Sequence, residues 1–392
     1  MDMVASAASS TTVRALQLGK SWFESEAGGG LDRFFFELTR HLPEAGVEIE
    51  SYVVGSTPPE EGGIRGLSSS TASLPRRLFD VHAALRAARL DRFDLVAAHF
   101  ALYALPLLHA IPPPPLVVHF HGPWADESRA EGESPLKVRT KAALERLVYR
   151  RAQRFIVLSR AFRDVLHRSY AVPPSRIRIV PGGVDVDRFA TDASRREARR
   201  RLGWPTDRPL LLAVRRLTRR MGLEKLVDAM ATVRRTVPDA LLLVAGRGPL
   251  AEPLRARIEA RGLDDHVALL GFVPEADLPL AYRAADVSVV PSETLEGFGL
   301  ITVESLAAGT PALVTPVGGL PEVVRGLSPN LVLPEDTVGR DAAPALGARL
   351  AAALNGSLAL PPGHRCRAYA RTHYDWPVIA RQTRRIYEEV LR

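Results

Sequence analysis

This 392-residue chain predicts an α/β fold built on parallel sheets, on three observations. Short apolar runs alternate with segments of helical period along its whole length. Residues able to meet a ligand (His121, Ser159, Gly182) follow several of those runs, at the strand ends where α/β sheets hold ligands. The alternation pauses at a charged helix, 195–202, followed by GWPTDRP, and then starts again. Two domains are expected, because single cores stop growing beyond about 250–300 residues. Their limits are read as 13–190 and 206–375, after a tail at 1–12, with a last helix at about 378–392 returning to the first domain.

In the first half, strands are expected at 13–18, 47–54, 95–98, 116–119, 155–158 and 177–180. The glycines 28–30 open a helix whose Leu31, Phe34, Phe35, Leu38 and Leu42 recur at helical spacing. Residues 56–74, rich in Gly, Ser and Pro, read as a surface loop. Helices are expected at 83–88, 100–109, 137–154 and 161–169. In the second half, strands are expected at 210–214, 240–244, 267–270, 287–290 and 311–314. Helices fall at 223–234, 250–261, 278–284 and 320–325, and a final one runs from 374 to 392.

The composition, 46% hydrophobic and 24% charged, is that of an ordinary globular protein. A net charge of +8 suits nucleotide phosphates, acidic lipid or nucleic acid, and equally a solvated surface. Nucleic acid is set aside because the arginines are scattered and no basic-aromatic module stands out. The single Cys366 excludes an internal disulfide and fits a reducing compartment. The start of the chain has neither basic n-region nor long apolar core, and four prolines at 112–115 interrupt the longest apolar stretch. A cytoplasmic protein is expected. The basic runs 145–154 and 194–201 leave peripheral contact with the acidic inner face of a membrane as an option.

The chemistry centres on 291–311, PSETLEGFGLITVESLAAGTP, which reads as strand end, tight loop and helix. Glycines let backbone approach a ligand, and the helix beginning near Gly299 presents free amides and a positive dipole to a phosphate. Glu296 lies before that helix and Glu304 within it. Carboxylates repel phosphate but accept two hydrogen bonds from a vicinal diol, which ribose and hexose both supply. A glutamate near a helix start is also favourable with no ligand, so a nucleotide or sugar-phosphate site and a purely structural role both stand. After the strand 210–214 comes RRLTRRMG, in which Arg216 and Arg220 are placed to clamp a diphosphate; a solvated basic turn is the alternative. In HFHGPW, His121 offers a hydrogen bond or carries a proton. Strand alternation is expected to part His119 from His121, and no third ligand is evident, so no metal is expected. The Gly246 turn and the Phe272-Val273 pair are candidate contacts for a nucleotide.

The two acids with seven residues between them, Gly-Phe-Gly after the first and Ala-Ala-Gly-Thr-Pro after the second, resemble the signature of the family 4 retaining glycosyltransferases. GGGLDRF, PGGVDVDRF, RRLTRRMG, AGRGP, LLGFVP and the Trp-containing last helix extend the resemblance over nearly the whole chain. It implies the GT-B fold: two Rossmann-like domains across a cleft, with the acceptor mainly on the first and a nucleotide sugar on the second. It implies transfer of a hexose with retention, without metal or cofactor, to a glycan, a lipid-linked glycan or a small glycoside. Carried onto these residues, Glu304 holds the ribose hydroxyls and Glu296 the donor sugar. Amides of Gly297, Phe298, Gly299 and Leu300 meet hydroxyls and diphosphate, and Arg216 neutralises departing phosphate. His121 touches the transferred sugar, Gly29 and Gly30 leave room around phosphate and acceptor, and Trp124 faces the acceptor. Where the family carries Lys before the last Gly of its basic motif, this chain has Met221, and Arg220 is the expected substitute. A nucleotide-sugar epimerase of the same architecture and a non-catalytic sugar-binding module are the competing readings.

Overall fold

The computed structural model describes residues 12–21, 29–55, 63–69, 71–110 and 114–392. The expected tail at 1–12 lies, but for Thr12, outside them, as does Gly28. Seven strands form the first sheet: β1 Val13–Leu18, β2 Val47–Val53, β3 Ile64–Gly66, β4 Leu95–Ala98, β5 Leu116–Phe120, β6 Arg154–Val157 and β7 Ile177–Ile179. Their spatial order is β3-β2-β1-β4-β5-β6-β7, every pair parallel. The second sheet holds β8 Leu210–Val214, β9 Leu241–Ala245, β10 Val267–Gly271, β11 Val287–Val290 and β12 Ala312–Val314, ordered β10-β9-β8-β11-β12 and again all parallel. In each sheet the order reverses beside the first strand of the half, at β1/β4 and at β8/β11. Such a reversal opens a crevice at the carboxyl ends of the strands.

Parallel strands are covered on both faces, which is why these runs are continuously apolar. Leu210, Leu211, Leu212 and Ala213 are wholly buried, as are Val96 and Ala97. In the helix Gly30–His41 the periodic Phe34, Phe35 and Leu38 are buried, as is Leu42 just beyond it. Two expectations are corrected here. The loop at 56–74 contains the edge strand β3, and the helix expected at 83–88 begins nine residues earlier, at Leu74–Ala87. Pro75 explains the start, since proline is preorganised for a first helical turn. Among the described residues four helices were not foreseen: Trp124–Ala130, Val186–Phe189, Ala343–Leu354 and Gly363–Tyr374. The helix expected at 374–392 is present as Trp376–Leu391, starting two residues later because the preceding helix ends at Tyr374 and Asp375 separates the two.

The chain passes between the sheets twice. At the second passage Val184 and Asp375 form a bridge, with Val184 N–H donating to the Tyr374 carbonyl at 2.7 Å. Beyond it, Trp376, Ile379, Ala380, Ile386 and Tyr387 of the last helix are buried against Val13, Ala15, Phe34 and Leu38 of the first half. Burying each large side chain is worth about 1.5–3 kcal/mol, so this helix is integral to the first core. No helix among the described residues is long and apolar enough to cross a membrane.

Candidate active site between the sheets

A cleft of about 560 Å³ is lined by the carboxyl ends of both sheets. Of the residues singled out above as able to meet a ligand, all but Ser159 and Gly182 line it. The first half supplies Gly29, Gly30, His121 and Trp124. The second supplies Arg216, Arg220, Gly246, Phe272, Val273, Glu296, Gly297, Phe298, Gly299, Leu300 and Glu304.

Its floor is the loop after β11 and the helix Leu300–Ala307, which starts from Gly299 at φ 82°, in the left-handed region that glycine tolerates best. The first half closes on this floor through Gly182, where an added Cβ would lie 2.7 Å from both Leu300 and Phe298. The Phe298 ring is 3% exposed and edge-on to Tyr374, so it is packing, and its contribution to a ligand is backbone.

The two carboxylates have different partners. Glu296 Oε2 accepts from Arg215 Nη2 at 2.5 Å and from Ser292 Oγ at 3.1 Å. Its Oε1 has no protein partner among the described residues. Burial works to raise its pKa, but the charge and hydrogen bond of Arg215 prevail and hold it below the ordinary value, so Glu296 is ionised at neutral pH. Glu304, 3% exposed, is engaged on both oxygens: Tyr282 OH donates at 3.0 Å, and Arg33 of the first half pairs with the other. Arg33 also pairs with Glu275, which takes Arg188 Nη2 at 2.6 Å. Burial opposes the charge of Arg33, yet Glu304 and Glu275 outweigh it and hold its pKa above the usual arginine value.

The opposite wall is basic. Arg220 Nη1 donates to the Leu295 carbonyl at 3.1 Å, and its guanidinium faces Glu127 at 3.6 Å and Glu131 at 3.9 Å in the first half. The Arg216 side chain has no hydrogen bond or ion pair among the described residues. Enclosure by the cleft, and then the charge of Arg220, hold its pKa below the usual value. An unpaired guanidinium so placed is an anion site in waiting. Arg247 lies 4.9 Å from the ring of Phe272, which is 53% exposed and offers a flat face at the cleft edge.

Histidine geometry overturns one expectation. Residues two apart on a strand share a face, so His119 and His121 lie on the same side of β5. His99, directly after β4, joins them: its Nδ1 is 3.1 Å from His121 Nε2, and its ring stacks 4.1 Å from that of His119. Three imidazoles therefore cluster where none was expected to. His119 Nε2 is 2.9 Å from Tyr387 OH on the last helix. Burial pulls His121 down to about 3 and lowers His99 and His119 well below their ordinary value, so all three are neutral at physiological pH. Of the two roles expected for His121, a neutral hydrogen-bonding partner fits this and a proton carrier near pH 7 does not.

Reading the sequence missed Arg33, Glu275, Tyr282, Arg215 and His99. A signal existed for two of them: His99 and Arg215 each follow directly on a strand that the sequence reveals. Arg33 and Glu275 are 242 positions apart and carry no local mark.

A family profile described as Glycosyltransferase Family 4 matches residues 28–188, and one described as Glycosyl transferases group 1 matches residues 194–347. A D-inositol 3-phosphate glycosyltransferase of Thermobifida fusca (strain YX) is 32% identical over 346 residues, covering 78% of this chain and 77% of that protein. A GDP-mannose-dependent alpha-(1-6)-phosphatidylinositol monomannoside mannosyltransferase of Mycobacterium tuberculosis (strain ATCC 25618 / H37Rv) is 37% identical over 177 residues, 43% of this chain and 45% of that protein. In fold, sucrose-phosphate synthase from Thermosynechococcus elongatus superposes with a TM-score of 0.76 at 22% identity, over 96% of this chain and 99% of its own. Anabaena HepE, solved with UDP-glucose, gives 0.76 at 19% identity over 96% and 99%. With both halves matched by these profiles and one relative similar over most of its length, the chain belongs to the family 4 glycosyltransferases and has their GT-B fold.

Proposed function

We propose that the protein transfers a hexose from a nucleoside-diphosphate sugar to a hydroxyl acceptor with retention of the anomeric configuration. The observation that carries this reading is the pairing, in one cleft, of an ionised carboxylate with one unclaimed oxygen, Glu296, and an unpaired cation, Arg216. The first suits a sugar hydroxyl and the second a phosphate leaving group. Glu304 at the other end of the helix takes the ribose diol. The bond from the anomeric carbon to phosphate oxygen breaks with its electron pair going to the phosphate. The acceptor oxygen bonds to the same face of that carbon, and its proton passes to the departing phosphate oxygen. Guanidinium groups and helix amides meet the growing charge, so the step needs no metal ion or cofactor. Neutral His121 donates or accepts a hydrogen bond to the transferred sugar. Trp124 and the loop at Gly29 and Gly30 border the acceptor.

The acceptor is read as a glycan, a lipid-linked glycan or a small glycoside. Relatives named for inositol phosphate and for phosphatidylinositol mannoside acceptors support that range. Peripheral contact with the acidic inner face of a membrane accompanies this reading. Phe79, 62% exposed, and Leu136, 76% exposed, lie beside Arg76, Arg77 and Lys137 on first-half helices. The test is calorimetry with a panel of nucleoside-diphosphate sugars, followed by transfer assays and proton NMR of the product anomer. Binding of one donor and a product of unchanged anomeric configuration are expected. An inverted product overturns the retaining mechanism, and interconversion of free donor without an acceptor restores the epimerase.

A further inference from the structure

We propose that Arg215, rather than Arg220, carries the positive charge for which the basic motif has methionine at 221, and that it acts on the leaving phosphate while holding Glu296 in place. The inference rests on the transfer reading above. Met221 is 5% exposed, and its Sδ lies 2.7 Å from Arg215 Nη2. The guanidinium of Arg215 thus occupies the space beside side chain 221, and the same Nη2 reaches Ser292 Oγ and Glu296 Oε2, both at 2.5 Å. Arg220, whose buried Nε likewise lacks a hydrogen-bond partner, is turned instead to the Leu295 carbonyl and to the charges of Glu127 and Glu131 across the cleft.

A merely structural arginine, buried to this degree, spends its donors on protein acceptors. Arg215 does not. All its side-chain bonds among the described residues run through Nη2, while its buried Nε and its Nη1 have no partner there. Two nitrogens of a charged group that lines the cleft are therefore left for an anion. The backbone fixes the position. Arg215 N–H donates to the Ala245 carbonyl, and its own carbonyl lies so close to Gly246 that a Cβ there would be 1.8 Å away. Compared with lysine at 221, the charge has moved six positions along the chain and stayed at one place in space.

The test measures wild type, Arg215→Ala, Arg220→Ala, Met221→Lys and the exchange Arg215→Gly with Met221→Lys in one panel. Turnover is read as release of nucleoside diphosphate, and affinity by calorimetry with uridine and guanosine diphosphates and the bare nucleosides. Arg215→Ala should lower turnover about 100-fold and nucleoside diphosphate affinity about tenfold, leaving nucleoside affinity unchanged. Added guanidinium ion should restore part of the turnover. The exchange variant should return to within about tenfold of wild type, and Met221→Lys alone, with two cations crowded together, should fall below wild type. Arg220→Ala should lose less than Arg215→Ala. Near-normal turnover in Arg215→Ala, or equal loss of diphosphate and nucleoside affinity, overturns the assignment, as does an exchange variant that keeps wild-type circular dichroism and remains as slow as Arg215→Ala. A wild type that releases no nucleoside diphosphate overturns the transfer reading itself. An active wild type with an equally active Arg215→Ala overturns only this inference.

Discussion

Glu296 and Glu304 line one cleft eight positions apart, yet their surroundings differ in kind. Glu296 is anchored from its own half of the molecule and has an oxygen to spare. Glu304 is occupied twice, once by Tyr282 beside it and once by Arg33 from the far wall. A preorganised acceptor changes little when its ligand arrives, whereas a contested one must share or exchange a partner. On the proposed reading, Glu296 is the group that serves the transition state. On the same reading Glu304, held by Arg33 of the other half, ties donor binding to the contact between the halves.

The largest effects should come from the Glu296 end. Arg216→Ala should cut turnover at saturating donor by on the order of tenfold to a thousandfold, and Glu296→Gln by a similar factor, with smaller changes in donor KM. Steady-state kinetics that show the loss in KM alone would erase the contrast. Glu304→Ala should act the other way, weakening donor binding by about 1.5–3 kcal/mol, the usual worth of hydrogen bonds to a charged group, while saturated turnover changes less. Unchanged calorimetric affinity in a folded variant would remove the ribose assignment.

Acid should destabilise the first half before it touches Glu296. His99, His119 and His121 titrate lower in the folded chain than their ordinary 6.5, so the unfolded chain binds more protons below that pH. Stability is therefore complete above about pH 6.5 and falls as pH drops, by up to about 1.4 kcal/mol per pH unit for each histidine. Glu296, whose pKa is depressed, contributes stability above its ordinary 4.5 that is lost only at lower pH. Denaturant melts between pH 7 and 5 should show this slope, and His119→Phe should flatten it by one proton. The smallest effect is the sharpest for the comparison. Arg33→Ala frees one oxygen of Glu304 and should tighten nucleoside binding severalfold; a tenfold loss would show that Arg33 itself holds the donor.

The α/β architecture was legible because buried parallel strands are uninterrupted apolar runs, such as those at 210–214 and 287–290. The edge strand β3 was not, since three residues set among Gly, Ser and Pro carry no run to read. Helix Ala343–Leu354 escaped because its alanines blur the periodicity that Leu346 and Leu350 alone would show. In the site, residues marked by a glycine turn were found, and of those just after a strand His121 and Arg216 were, whereas His99 and Arg215 were not. Arg33 on Glu304 was not, because an ion pair 271 positions long is fixed by how two halves meet, which no local pattern records. His119 and His121 were misjudged for a different reason: their spacing was legible, but the two-residue repeat of a strand was misapplied.

The bridge between Val184 and Asp375 also bears on how substrates enter. Both passages of the chain between the halves run near it, and Gly183 is pressed so closely on Trp376 that a Cβ would lie 2.4 Å from the indole. Two connections at one seam work like a door on a single hinge line: they leave rotation about that line free and resist sliding. On the proposed reading such a swing is how donor and acceptor would enter and leave, and the ion pairs that Arg33 and Arg220 make across the cleft would act as its catches.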